Sequence, residues 1–189
     1  MTRDKLGDSY DIVKKSLLHW LGGRWSVHPM LTEKADQMFF SAYETLISAK
    51  VISSSVLTQK DRKSCLSPAC SCRGNLFLDP DTGLKLGKPK IQHLSADELI
   101  EIVEPRSKYL TVVFDQSFSY GDRPERKMLE KLSHLSLRGV HAFAYVSHAC
   151  FIVATGEKSR LDRARTCILK SGLPECRLTP PAPSSHSEL

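Results

Sequence analysis

The apolar residues of this chain switch repeatedly between helical and strand spacing, and the order of the switches limits the folds open to it. Tyr10, Val13, Leu17, Leu18 and Leu21 recur at helical intervals over residues 8–21. Asp8 or Ser9 can cap that helix, and Gly22-Gly23 stops it. Residues 33–48 repeat the pattern, with Ala35, Met38, Phe39, Ala42, Leu46 and Ile47 expected inside. Residues 25–31 hold a short strand broken by Pro29, and Val51-Ile52 opens another. Leu76-Phe-Leu-Asp79 and Tyr109-Leu-Thr-Val-Val-Phe-Asp115 read as buried strands. Ser95-Ala-Asp-Glu98 is a capping box that starts a helix to about residue 103. Further helices are expected over 122–138, with Met128, Leu129, Leu132 and Leu135 inward, and over 157–171, with Leu161, Ala164, Cys167 and Ile168 inward. Between them, apolar runs at 142–146 and 151–154 flank Ser147-His148-Ala149, as in a tight antiparallel hairpin. Strands separated by helices imply βαβ units and a mostly parallel sheet. The expectation is one Rossmann-like α/β domain over residues 1–179, closed by an antiparallel C-terminal hairpin. The Pro-rich stretch 180–189 is expected to be a disordered tail.

Composition narrows the partners. Lys and Arg outnumber Asp and Glu by 27 to 21, a net charge of +6 that suits nucleic acid or another polyanion. No apolar run approaches the length of a membrane span, and the first residues lack the apolar core of a signal peptide, so a cytoplasmic protein with no membrane partner is expected. Six cysteines should then be reduced thiols. Cys65, Cys70 and Cys72 fall in an expected loop, 61–74, with C-x4-C-x-C spacing that departs from zinc knuckles. Zinc there would need a fourth ligand such as His93, and the alternative is a flexible Ser/Cys loop.

The stretch Asn75-Leu-Phe-Leu-Asp79-Pro80-Asp81-Thr82-Gly83 carries the chemistry. Pro80 and Gly83 end the strand and leave two carboxylates at its tip. Ligands of open α/β sheets bind outside the carboxyl ends of strands. Asp79 and Asp81 are therefore candidate catalytic acids and candidate ligands for magnesium or manganese. The same residues also suit an ordinary turn. Asp115 ends the other strong strand and is a candidate third acid. Asp11 and Lys14 share a helix face, so Lys14 can reach a phosphate or pair with Asp11. Asp8, Asp11 and His28 are the candidate cofactor contacts. His148, in the hairpin turn, is a candidate acid or base. A carboxylate at a strand end is not core packing, so Asp79→Asn is expected to cost little stability. No Gly-x-Ser-x-Gly elbow, Walker motif or His-Glu-x-x-His is present.

Gly7-Asp-Ser-Tyr-Asp-Ile-Val-Lys14 resembles the Gly-Asn-x-x-Asp-x-x-Lys stretch that opens the 23S rRNA adenine-N6 methyltransferases. Asp79-Pro80-Asp81-Thr82 falls where that family has Asp-Pro-Pro-Tyr, and the chain also resembles bacterial proteins with a Phe-x-Asp-Pro-Asp-x-Gly signature. The resemblance implies a class I methyltransferase-like fold, S-adenosylmethionine as donor, a base-binding role for Asp79 and an active-site role for Lys14. Two departures stand beside it. Residues 25–33 lack the cofactor-binding glycine turn, and Asp81 and Thr82 replace a proline and the aromatic that stacks on a flipped base. Three readings result: a nucleic-acid-acting enzyme of methyltransferase-like fold, a metal-dependent nuclease or phosphoesterase using Asp79 and Asp81, or a non-catalytic relic that binds a partner.

Overall fold

The computed structural model describes residues 6–118 and 122–179. The elements run α1 (Ser9–Leu21), β1 (Trp25–His28), α2 (Gln37–Ile47), β2 (Ala49–Val51), α3 (Arg62–Ser71), β3 (Asn75–Leu78), β4 (Gly83–Lys85), β5 (His93–Ser95), α4 (Ala96–Val103), β6 (Thr111–Asp115), α5 (Pro124–Leu137), β7 (His141–Tyr145), β8 (Cys150–Thr155), α6 (Lys158–Lys170) and β9 (Leu178–Thr179). The expected tail, 180–189, lies outside the described residues. None of the helices described is long and apolar enough to cross a membrane.

Seven strands form one sheet in the order β2-β1-β3-β6-β8-β7-β9, and β4 and β5 form a small parallel pair beside it. β2, β1, β3 and β6 are joined by parallel ladders, and β8 pairs antiparallel with both β6 and β7. The result is a mixed α/β fold with a mostly parallel central sheet and six α-helices among the described residues. β3 and β6 are neighbours in the register Leu76↔Thr111, as a short capped connection between them implies.

Side chains alternate across the sheet and build two cores. Trp25, Val27, Phe77, Val112 and Phe114 turn to one face, which α1, α2 and α6 cover. Leu76, Leu78, Val113, Ala144 and Ile152 turn to the other, which α3, α4 and α5 cover. The capping box at Ser95 and Glu98 is present, with both reciprocal bonds made.

Three parts differ from the sequence reading. Residues 62–71 form a helix rather than a loop, with Pro68 inside it; Cys65, Leu66 and Ala69 bury one side. Its serines and proline are weak helix formers, and packing overrides them. α2 starts at Gln37 because the Asp36 carboxylate caps it, accepting the Phe39 N–H at 2.9 Å. Its buried side is Phe39, Phe40, Tyr43 and Ile47, whereas Met38 is 72% exposed. That rotation brings Tyr43 inside. Leu129 and Cys167, also expected inward, are exposed.

Candidate functional site

The crossover after β1 runs through α2 on one face, and the crossover after β3 runs through α4 on the other. Connections that leave neighbouring strands toward opposite faces open a crevice at the strands' carboxyl ends. Asp79 follows β3 at that point, and its N–H donates to the His28 carbonyl at 3.0 Å. Alternation gives Asp79 the face of Phe77, toward α1 and α2.

The first turns of α1 meet it there. Asp8 caps the helix by accepting the N–H groups of Tyr10 and Asp11, at 2.9 and 3.1 Å. Asp11 accepts the Gly7 N–H at 2.9 Å. Lys14 Nζ then bridges two carboxylates, donating to Asp11 Oδ1 and Asp79 Oδ2 at 3.0 Å each. The Tyr43 hydroxyl donates to the same Asp79 oxygen at 2.5 Å. Both donors therefore converge on Oδ2 of Asp79. Lys14 also lies over the Phe114 ring, 4.6 Å from its centre.

The cluster is almost dry, with Asp11, Lys14, Tyr43 and Asp79 all buried. Burial alone would pull the Lys14 ammonium down. The carboxylates of Asp79 and Asp11 outweigh it and hold Lys14 above its ordinary value. Burial pushes the Asp79 carboxyl above its ordinary range, and Lys14 and Tyr43 offset only part of that. Burial, then the Asp79 charge, holds the Tyr43 hydroxyl well above its ordinary value, so it remains a donor.

Asp79, Asp81 and Lys14 line one cavity of about 300 Å³, together with Asp8, Asp11 and Tyr10. Phe114 and Gln116 close it on the β6 side. Asp81 is exposed, and its Oδ2 accepts the Thr32 hydroxyl at 2.8 Å. Tyr10 stands edge-on to Phe114 with ring centres 5.7 Å apart, and the exposed His148 ring lies 5.7 Å from Tyr10. His148 thus neighbours the cavity wall through Tyr10.

Two other candidates lie elsewhere. Asp115 shares the sheet edge with Asp79 but points to the opposite face, the face of Val113. There it accepts Lys131 Nζ at 2.5 Å and the Ser117 hydroxyl at 2.7 Å. It is a second buried cluster, not a third acid for the first. Gly83 makes this packing possible: at φ +113° a Cβ would stand 2.2 Å from Asp115 Oδ1. His28 also points away, toward α3. Its Nδ1 accepts the Met30 N–H at 3.2 Å and its Nε2 donates to the Cys65 carbonyl at 2.8 Å. Burial lowers its pKa, and His28 is not among the described residues that line the cavity of Asp8 and Asp11.

The cysteines do not converge. On α3, Cys65 and Cys70 are five residues apart and so on different sides of the helix, and Cys65 to Cys72 spans two turns, about 10 Å. Among the described residues, no group of three or more His, Cys, Asp or Glu is placed to hold a metal ion. Between Asp11 and Asp79, the position a shared cation would take is filled by the Lys14 ammonium.

Sequence reasoning missed Tyr43, Ser117 and Lys131. The signal for Tyr43 was the spacing Phe39, Phe40, Tyr43, Ile47, which places one side of α2 inward. Lys131 carries no such signal, since it reads as a solvated charge beside Glu130. Comparison of the chain with protein-family models, with curated proteins and with solved structures finds no match.

Proposed function

We propose that the protein acts on nucleic acid by taking an amine-bearing base into the cavity at Asp79, on a scaffold like that of class I methyltransferases. The observation that carries the reading is the cavity's composition. Among the described residues, Asp8, Asp11, Asp79 and Asp81 line it beside the Lys14 ammonium, with the Tyr10 ring in the wall. The whole chain is basic, yet the described lining of this cavity is acidic. Phosphates are repelled from it, whereas an exocyclic amine gains a charge-assisted hydrogen bond on entering. Lys14 and Tyr43 hold Oδ2 of Asp79, so its orientation is set and Oδ1 is the oxygen left to accept from a base edge. Tyr10 supplies a ring for stacking, the role the family gives to the aromatic that Thr82 replaces.

The scaffold supports the same reading. A mostly parallel sheet with a reversed strand, β8, inserted between β6 and β7 resembles the pattern of class I methyltransferases, with β9 a second reversed strand at the edge beyond β7. S-adenosylmethionine does not fit the place that family gives it. The turn after β1 has no glycine, and His28, Met30 and Leu31 fill it, at most 1% exposed. Met30 adopts φ 47°, the left-handed conformation for which glycine is suited. The chemistry this chain's own residues support is base recognition, without methyl transfer. Metal-dependent phosphoester cleavage is the weaker reading, because Asp115 serves the other face and Lys14 already neutralises Asp79.

Equilibrium binding of short single-stranded oligonucleotides tests the proposal. Adenine-containing oligomers should bind about tenfold tighter than inosine counterparts, which is one charge-assisted hydrogen bond of about 1.4 kcal/mol. Asp79→Asn should shrink or invert that preference, since an amide can donate to the inosine carbonyl. Equal binding of both oligomers by the unaltered protein would refute base recognition. Calorimetric titration with S-adenosylmethionine should give no binding heat, and saturable binding would restore the methyl-transfer reading.

A further inference from the structure

We infer that the exposed face of α6 is a track for the phosphate backbone of a single-stranded polynucleotide; the inference extends the proposed base recognition and rests on it for the choice of partner. α6 carries Lys158, Arg160, Arg163, Arg165 and Lys170 against one acid, Asp162. No other described α-helix carries more than three cations, and α4 is acidic, with Asp97, Glu98 and Glu101. Leu161, Ala164 and Ile168 bury the inner side of α6. The opposite side presents Ser159, Arg163, Thr166 and Lys170, all exposed. Their spacing of four, three and four residues places them in one stripe over about 16 Å of axis.

Two of the five cations are engaged internally. Arg165 pairs with Glu175, and Arg160 bonds the Asn75 side chain. Lys158, Arg163 and Lys170 have no ion pair among the described residues. A stripe of free cations and hydroxyls, without aromatic residues or an apolar flank, suits a sugar–phosphate chain rather than an apolar partner.

Position favours the same partner. α6 packs against α1, the helix that supplies Asp8, Tyr10, Asp11 and Lys14 to the cavity. Leu169, on α6, and Tyr10, on α1, pack on the same core. The acidic cavity repels phosphate while the neighbouring helix attracts it. Charge thus divides one polynucleotide between two surfaces, with its backbone on α6 and a base at Asp79.

The test uses the full chain and two single-stranded probes of about twelve nucleotides, one with adenine bases and one abasic. Arg163→Gln combined with Lys170→Gln removes two exposed charges and leaves the cavity intact. The unaltered protein should bind the abasic probe. The double variant should bind both probes at least about fivefold more weakly at low salt, and the slope of log K against log salt should fall by about 1.4. Its thermal midpoint and its adenine-over-inosine preference should be unchanged. If the abasic probe is not bound, or the double variant binds with the same salt slope, the track is overturned even where the base preference holds. If the slope falls while adenine and inosine bind alike, the track stands and the cavity reading fails. Binding to vesicles of anionic phospholipid, with no binding to the abasic probe, would reassign α6 to a membrane surface and overturn the inference.

Discussion

Asp79→Asn is the substitution that most directly measures how the cluster is held. On sequence grounds a strand-end carboxylate should be cheap to neutralise. The structure reverses that expectation, because Asp79 is 2% exposed and accepts from both Lys14 and Tyr43. Removing one partner of a buried ion pair costs about 3–5 kcal/mol, since the other charge stays buried without it. Two features reduce the figure. Lys14 keeps Asp11 at 3.0 Å, and the Asn carbonyl can still accept from Tyr43 as a neutral group. The expected loss is therefore about 2–4 kcal/mol. Lys14→Met should cost at least as much, because it strands both Asp11 and Asp79. The double variant should cost less than the two single losses added, with a coupling of about 1–3 kcal/mol. Urea unfolding at neutral pH, followed by far-UV circular dichroism, gives all three values. A loss below about 1 kcal/mol for Asp79→Asn, or strict additivity in the double variant, would refute the buried bridge.

Three further outcomes are expected. Tyr43→Phe keeps the ring packing and removes one donor to a carboxylate, so it should cost about 1.5–3 kcal/mol in the same unfolding assay. Gly83→Ala should cost at least about 3 kcal/mol, because its Cβ would stand 2.6 Å from the Asp115 Cα at a φ of +113°. His28 predicts a pH dependence: its folded pKa lies below the ordinary 6.5, so the unfolded chain takes the proton first. Its contribution is complete above about pH 6.5 and is lost as pH falls through the folded value, with a limiting slope of about 1.4 kcal/mol per pH unit. Unfolding free energies measured between about pH 8 and pH 5 should fall more steeply with acid in the unaltered protein than in His28→Asn; equal slopes would disprove the assignment.

The fold was legible where apolar spacing is regular and opaque where tertiary contacts decide. β3 and β6 are uninterrupted apolar runs bounded by turn residues, and their parallel pairing follows from the capped helix between them. α3 was not legible. Its sequence, Arg62-Lys-Ser-Cys-Leu-Ser-Pro-Ala-Cys-Ser71, has a proline within and little periodicity, and it is helical because Cys65, Leu66 and Ala69 pack under β3 and α4. At the site, Asp79, Lys14 and Asp11 could be proposed from their strand-end and same-face positions. Tyr43 depended on the rotation of α2, which the cap at Asp36 sets. Lys131 depended on which way Asp115 points.

That last point bears on how acids at one sheet edge should be interpreted. Residues that end neighbouring parallel strands look equivalent in sequence, and Asp79 and Asp115 each follow a buried apolar run. The ladder fixes their difference. Leu78 pairs in register with Val113, so Asp79 and Phe114 are the next matched positions, and Asp115 lies one residue further on. A one-residue offset sends a side chain to the other face. Asp79 therefore joins the α1–α2 face and Asp115 the α5 face, where each meets a lysine, Lys14 or Lys131. A two-metal or three-carboxylate centre needs acids that converge, and this register separates them. The chain instead spends each strand-end acid on its own ammonium, and in the proposed reading the other oxygen of Asp79 is the one that meets the base.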